Sequence, residues 1–426
     1  MAGGKRGGWK GAFGAMCAVA GASAAAAWLA NVWLVWRALA RHGEECRRQA
    51  ALRPGLERHA AENLVTREQL EERLEWLQRR VASAAAAAGG DKEAAEQNGI
   101  GGELRRLVGR EAAVFLLGGR AALLQLAHPY VATAIQQHSA LATSVVARFY
   151  GTFRFVFRIT FGDLQAALSS ARTVHQMHSR VGGAFSEEAG AAAPAGGRYD
   201  ANNRQALVWV WATLHESSVL AYELFVRPLS LAEKRGAYEE RAEFLACFGL
   251  APRDTPPSWE AFQAYCHHMW NSDILRVGSD ALQVERLLFT PPTPALARAY
   301  WLVQLIRRST SVLLPAAVAR QFGSAPSRAH HALFYALAGL IRLILVFLPG
   351  SLRYLSAYHR LQQRLGHRMG PLNLYLSDKA ADAARALLNI AIPVPPQQQS
   401  TSASVSSSSS TSSSSSSSSS LLSSST

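Results

Sequence analysis

The sequence predicts an all-α protein, on three observations. From Glu103 to about Leu388 the apolar residues recur at helical spacing, as in "DLQAALSSARTVHQMHSRVGG" and "NNRQALVWVWATLHESSVLAYELFV". Gly and Pro fall between these runs, where helices are capped and the chain turns. Alternating strand patterns are scarce. The chain has 426 residues, 49% of them apolar, enough for a sizeable core.

The first element lies in residues 1–43. Gly11 to Trp36 is a run of 26 residues without a charge. As a helix it spans about 39 Å at about 1.5 Å per residue, more than the roughly 30 Å of a bilayer core. Trp28, Trp33 and Trp36 sit toward its C-terminal end, where an aromatic belt lies. We read a single-pass membrane anchor. The slight excess of arginine after it (Arg37, Arg41, Arg47, Arg48) leaves the main body cytosolic. A plastid or mitochondrial transit peptide is the rival reading, because the segment is Ala-rich and the first acidic residue is Glu44.

Residues 44–102 read as a charged helical stalk and a linker. "TREQLEERLEWLQRR" has helical apolar spacing and a capping-box pair, Thr66 and Gln69. Residues 103–390 form the helical body. Within it "ALFYALAGLIRLILVFLPG", Ala332 to Gly350, is expected to be a buried bundle helix, because a mid-span Arg342 is expensive in lipid. From Gln397 the chain is Gln-rich, then Ser-rich, so residues 391–426 are expected to be a disordered tail.

The net charge of +14 comes without a basic stripe interleaved with aromatics, zinc-finger spacing or an RNA-binding signature. No nucleic-acid partner is expected, and the charge is assigned to an arginine-rich surface near a membrane. Cys17, Cys46, Cys247 and Cys266 lie far apart and fit a reducing compartment. There is no Walker A loop, Rossmann fingerprint, GxSxG or HExxH.

The candidate site residues are polar groups inside apolar helices. "GGRAALLQLAHPYVATAIQQHS" carries Arg120, His128 and His138, with Pro129 in its middle. Polar groups buried without partners are costly, so they either build a site or are satisfied by packing. His175 and His178 are three apart, about 60° around one helix. Neutral imidazole is the commonest metal ligand. Arg148 and Thr152 are four apart and share a face, the spacing of an anion or oxyanion clamp. In "YCHHMW" the adjacent Cys266, His267 and His268 point in different directions and are a poor metal site.

The order "GGRAALLQLAHP", "QQHS", "RFYGT", "HQMHSRVGG", "RYDANN", "LVWVWATL", "YELFVRPLS", "YEERAEFLACFGL" and "VFLPGSLRYLSAY" resembles the MpaB-type ER-bound oxygenases. These share a catalytic domain with the rubber oxygenases (latex-clearing proteins). The resemblance covers roughly Glu103 to Tyr358. It implies a globin-like helical bundle holding haem b, dioxygen as co-substrate and a hydrophobic isoprenoid-type substrate whose C=C bond is cleaved. It places the chain at a membrane, that of the endoplasmic reticulum, with a plastid kept as the second choice by the Ala-rich leader. The family's proximal haem ligand sits in an H-x-x-V element, matched by His178 with Val181. His175 is the second choice. The distal Arg and Thr match Arg148 and Thr152, and His138 stands as a pocket acid or base. Gly151 falls where the rubber oxygenases have lysine, and Ala132–Gln137 holds no carboxylate where they have a glutamate base. The resemblance therefore speaks for haem binding and oxygen chemistry more than for polyisoprene cleavage. The alternatives are a non-haem iron or copper oxygenase using His128, His138, His175 and His178, and a non-catalytic membrane-tethered helical scaffold.

Overall fold

The elements of the computed structural model follow the caps and breaks of the sequence. Residues 7–52, 63–87, 89, 96, 99–100, 102–138, 141–185, 197–290, 297–298, 300–367, 375–376, 378–379 and 382–383 are described, the side chains of 7–19 and 141–150 excepted. The described residues belong to the unit Met1–Ile390, and the expected tail, 391–426, lies outside them. The helices are α1 (Gly7–Arg48), α2 (Arg67–Ala87), α3 (Glu103–Gly109), α4 (Gly118–Leu126), α5 (Pro129–His138), α6 (Leu141–Phe161) and α7 (Leu164–His178). A small antiparallel pair, β1 (Gly182–Ala184) and β2 (Arg198–Asp200), precedes α8 (Arg204–Phe225). Then come α9 (Leu231–Glu239), α10 (Arg241–Ala246), α11 (Trp259–Asn271), α12 (Ser279–Leu288), α13 (Tyr300–Leu313), α14 (Ala316–Gln321), α15 (Arg328–Phe347), α16 (Gly350–Arg353) and α17 (Ser356–Arg364). The protein is all-α, as its periodicity predicts.

The long helix α1 carries the uncharged run and then joins the core. Val35, Ala38, His42 and Cys46 are buried at spacings of three and four, one helical stripe against α8 and α15. Trp28 Nε1 donates to the carbonyl of Ala336 at 3.0 Å. Gly339 is what lets α15 come so close: a Cβ there would lie 2.8 Å from the backbone nitrogen of Val32.

α15 corrects the expectation of a buried bundle helix. Its inner face packs on α1 and α8, but Leu340, Ile344, Val346 and Phe347 are exposed. Among the described residues it is the one helix long and apolar enough to cross a membrane. Arg342 does not stand in the way, because it is buried on the inner face. Its Nη1 donates to the carbonyls of Glu223 (3.2 Å) and Leu224 (2.8 Å), at the C-terminal end of α8. A cation is favoured there by the unpaired carbonyls and the helix dipole.

The amphipathic stripe read as a stalk has a partner. Leu70, Leu74 and Leu77 of α2 are buried against α7 and α10, and Arg172 bridges to Glu71 at 2.8 Å. The capping box is present, with Gln69 N donating to Thr66 Oγ1 and Thr66 N to Gln69 Oε1, each at 3.3 Å. The break between α4 and α5 also follows the sequence. Pro129 opens α5, where its missing N–H does no harm. The buried His128 caps it, its Nδ1 accepting from Tyr130 N at 3.3 Å.

Candidate functional site

One end of the bundle gathers several polar side chains. α6 and α7 are joined by Gly162 and Asp163 alone and pack together as an antiparallel hairpin. Asp163 caps α7, accepting from Ala166 N at 2.6 Å. The first half of α6, with Arg148 and Thr152, therefore shares an end with the last turns of α7, with His175 and His178. The side chain of Arg148 lies outside the described residues. Thr152 is exposed, and His175 and His178 are half-buried. His178 continues the buried stripe Leu164, Ala167, Leu168, Ala171, Val174 of its helix. Burial holds the His175 imidazole below its ordinary range, against the pull of Asp200.

The β-hairpin closes this end. It follows α7 directly and returns Tyr199 toward α5. Tyr199 Oη donates to Gln137 Oε1 at 2.7 Å. His138 Nε2 lies 3.0 Å from the same phenol oxygen and 3.2 Å from the Gly182 carbonyl. Because the Tyr199 proton goes to Gln137 and Gly182 offers only an acceptor, this network assigns the ring proton of His138 to Nε2. Nδ1 is then the nitrogen able to accept a proton. Gly183 makes the closure possible, since a Cβ there would lie 3.0 Å from the Tyr199 oxygen and 3.1 Å from Gln137 Oε1.

The stretch Ala132–Gln137 has no carboxylate of its own, but the fold brings one to it. Thr133 Oγ1 donates to Asp280 Oδ2 at 2.6 Å, from α12. The same carboxylate, after burial, helps to push the Tyr199 phenol above its ordinary range. Sequence reasoning missed Asp280 and Tyr199. They lie 147 and 61 residues from their partners, and no local spacing announces such contacts.

A second feature lies behind α6. A cavity of about 110 Å³ is lined by Val114, Leu117, Phe153, Phe157, Arg105 and His215, among others. His215 was also missed, although it stands within a helical run. Its ring stacks on Trp211, with centroids 5.5 Å apart, and the residue lines the cavity. Its Nε2 and the Arg105 Nη1 are buried without a hydrogen-bond partner. Burial, and then Arg105 and Arg241, push the His215 imidazole down to about 3. Burial alone pushes His128 down to about 4.

These two rings make the fold acid-labile in a defined window. Each is neutral in the folded chain, whereas unfolding frees it to bind a proton below about pH 6.5. The stability they supply is complete above that pH and is lost as pH falls toward the folded values. Each is expected to withdraw on the order of 2 kcal/mol between pH 7 and pH 5. Thermal melts of wild type, His128→Asn and His215→Phe over this range check it. The variants should show a shallower acid slope than wild type.

The remaining candidates are structural. Arg120 is buried and bidentate to Glu216, with one leg at 2.8 Å. It also donates to Ser217 Oγ (2.8 Å) and the Leu313 carbonyl (2.9 Å). Cys46, Cys247 and Cys266 are free and buried, and burial raises all three thiols, Cys46 and Cys247 to about 12. In "YCHHMW" Cys266 is buried, His267 half-buried and His268 exposed, so they share no site. Among the described residues no three His, Cys, Asp or Glu side chains are grouped to hold a metal ion.

A family model described as "ER-bound oxygenase mpaB/B'/Rubber oxygenase, catalytic domain" matches residues 105–343, more than half of the chain. No curated protein and no solved structure matches it.

Proposed function

This chain belongs to the ER-bound oxygenase mpaB/B'/rubber oxygenase catalytic-domain family and is an oxidoreductase; from that premise we propose a membrane-anchored, haem-dependent oxygenase acting on a hydrophobic isoprenoid-type substrate. The observation that carries the reading is the α6–α7 hairpin, whose antiparallel packing puts Arg148 and Thr152 at the same end as His175 and His178, while the β-hairpin that follows α7 meets His138 through Gly182 and Tyr199. The donor set there suits haem b better than bare iron or copper. Haem asks the protein for as little as one imidazole, whereas a non-haem site asks for several converging ligands. His128 Nδ1 is engaged in capping α5 and His138 Nε2 with Tyr199 and Gly182, and among the described residues no three such ligands are grouped.

Haem, when bound, supplies the activation of dioxygen. His178 would hold the iron through a ring nitrogen, with His175 as the second choice. Arg148 and Thr152 are the donors we assign to dioxygen, on the opposite helix of the hairpin. His138 accepts a proton at Nδ1 while Tyr199 and Gly182 fix its ring. The apolar cavity behind α6 holds the isoprenoid chain and excludes water. α1, with α15 packed on it, tethers the body at the bilayer where such substrates reside, in the endoplasmic reticulum first and a plastid second.

An absorption spectrum with metal analysis of the purified full chain, expressed with haem supply, tests the reading. A stoichiometric Soret band supports it. Iron or copper without that band moves the site to a non-haem centre, and neither leaves a membrane-tethered scaffold. Asp280 is assigned as the carboxylate of the missing glutamate's position. Asp280→Asn is expected to lower kcat by about 10²-fold or more. Its haem content should match wild type. Unchanged kinetics would leave Asp280 only a tie between α5 and α12.

A further inference from the structure

We propose that the cavity behind α6 is a subsite for an amphiphilic monoanion, its carboxylate held between Arg105 and His215 and its apolar tail along Val114, Leu117, Phe153 and Phe157. The inference deepens the oxygenase reading by naming the head group of its substrate, and rests on that reading for the tail being an isoprenoid.

The argument starts from two nitrogens. Arg105 Nη1 and His215 Nε2 are buried and have no hydrogen-bond partner, and both residues line the same cavity. Native proteins rarely leave such nitrogens unpaired, because an unmade buried hydrogen bond is costly, and the neutral His215 ring donates at Nε2 in the tautomer that carries its proton there. A carboxylate has two acceptor oxygens, one for each nitrogen. The guanidinium stays charged in any such environment, so an anion is favoured over a neutral group of the same shape.

The nearby acids are engaged elsewhere. Glu240 accepts from the backbone nitrogens of Leu104 (3.1 Å) and Arg105 (2.7 Å), and Glu243 accepts from Arg80 at 2.7 Å. Arg105 Nη2 donates to the Glu240 carbonyl. The other arginine close to His215 is also engaged. Arg241 Nε donates to Thr255 Oγ1 at 3.0 Å and its Nη2 to the Pro256 carbonyl at 3.2 Å. One guanidinium faces the cavity with a donor to spare, which suits a single negative charge and not a diphosphate. The aromatic cage of His215, with Trp211, Tyr238 and Phe262 at 5.4–5.8 Å, holds the ring in place for the contact. The rest of the lining is mostly aliphatic and aromatic, with Thr160, Ser217 and Ser218 as its hydroxyl groups.

The test is calorimetry on the full chain in nanodiscs, with empty nanodiscs subtracted, under nitrogen so that no turnover occurs. The probes are geranic acid, decanoic acid and geraniol. Geranic acid is expected to bind one to one, about ten- to hundredfold tighter than geraniol. Arg105→Met should bring the acid to the level of the alcohol while leaving geraniol binding in place, which also shows that the variant is folded. Arg105→Lys should fall between the two. Equal binding of acid and alcohol, no binding above empty nanodiscs, or an Arg105→Met variant that binds the acid as wild type does overturns the proposal. Decanoic acid binding as well as geranic acid keeps the head-group site and overturns the isoprenoid tail. A chain without a Soret band that still binds geranic acid through Arg105 loses the haem reading alone. A Soret band without acid binding removes the subsite alone.

Discussion

His178→Ala is expected to abolish the Soret band and bring activity down to the haem-free background. The residue ends the buried stripe of α7, one turn past Val174, where a ring can face inward while the chain turns away through Val181 into the β-hairpin. Its helix neighbour His175 lies about 60° away around the axis and is the natural control. Under the assignment, His175→Ala keeps the band with a modest shift and retains activity. His215→Phe keeps the band too, because the cavity it lines includes, among the described residues, none of His138, Thr152, His175 and His178. If His175→Ala loses the band and His178→Ala keeps it, the axial ligand moves by one turn and the reading survives. If His215→Phe alone loses it, the cofactor belongs in the cavity, and Arg148, Thr152 and His138 lose their assigned roles. Haem content is read by spectrum and iron together, so a variant that fails to load separates from one that loads and fails to turn over.

The fold was largely legible because helices announce themselves locally. The Thr66–Gln69 capping box, the break at Pro129 and the stripe of α7 each depend on residues within four positions of one another. What local pattern cannot show is which way a stripe faces. The apolar positions of α2 predicted an amphipathic helix without saying that α7 and α10 cover them. Arg342 counted against membrane contact for α15 as long as its direction was unknown. Placed on the inner face, against the carbonyls of Glu223 and Leu224, it leaves the opposite face apolar.

The candidate site divides on the same physical line. His138, His175 and His178 were found because imidazoles inside apolar helices stand out against their surroundings. Asp280 and Tyr199 reach the site from other elements, and Arg105 and His215 are marked by missing partners, which only coordinates reveal. Arg120 shows the converse. It stood out in the same way as the histidines, yet all three of its nitrogens already have partners in the core.

That satisfaction makes Arg120 the site of the largest expected loss of stability. Arg120 and Glu216 are both buried, and His42 Nε2 lies 2.5 Å from Glu216 Oε1. The cluster ties α1, α4, α8 and α13 together through side chains and the Leu313 carbonyl. Burial alone would raise the Glu216 carboxyl, but Arg120 and then His42 overcome it and hold the group down at about 2. Its stabilising effect is therefore present above its ordinary range and lost only as pH falls toward 2. Arg120→Met strands a carboxylate in the core and is expected to cost about 3–5 kcal/mol, a large part of a typical domain's stability. Glu216→Met strands the guanidinium with a similar cost. The double variant Arg120→Met/Glu216→Met should lose less than either single change, since no uncompensated charge remains and an apolar pair can fill the volume. Thermal melts of the three variants measure the ordering. Additive losses in the double variant would mean that each residue is held by its other partners, Ser217 and Leu313 for the one and His42 for the other, and that the ion pair itself contributes little.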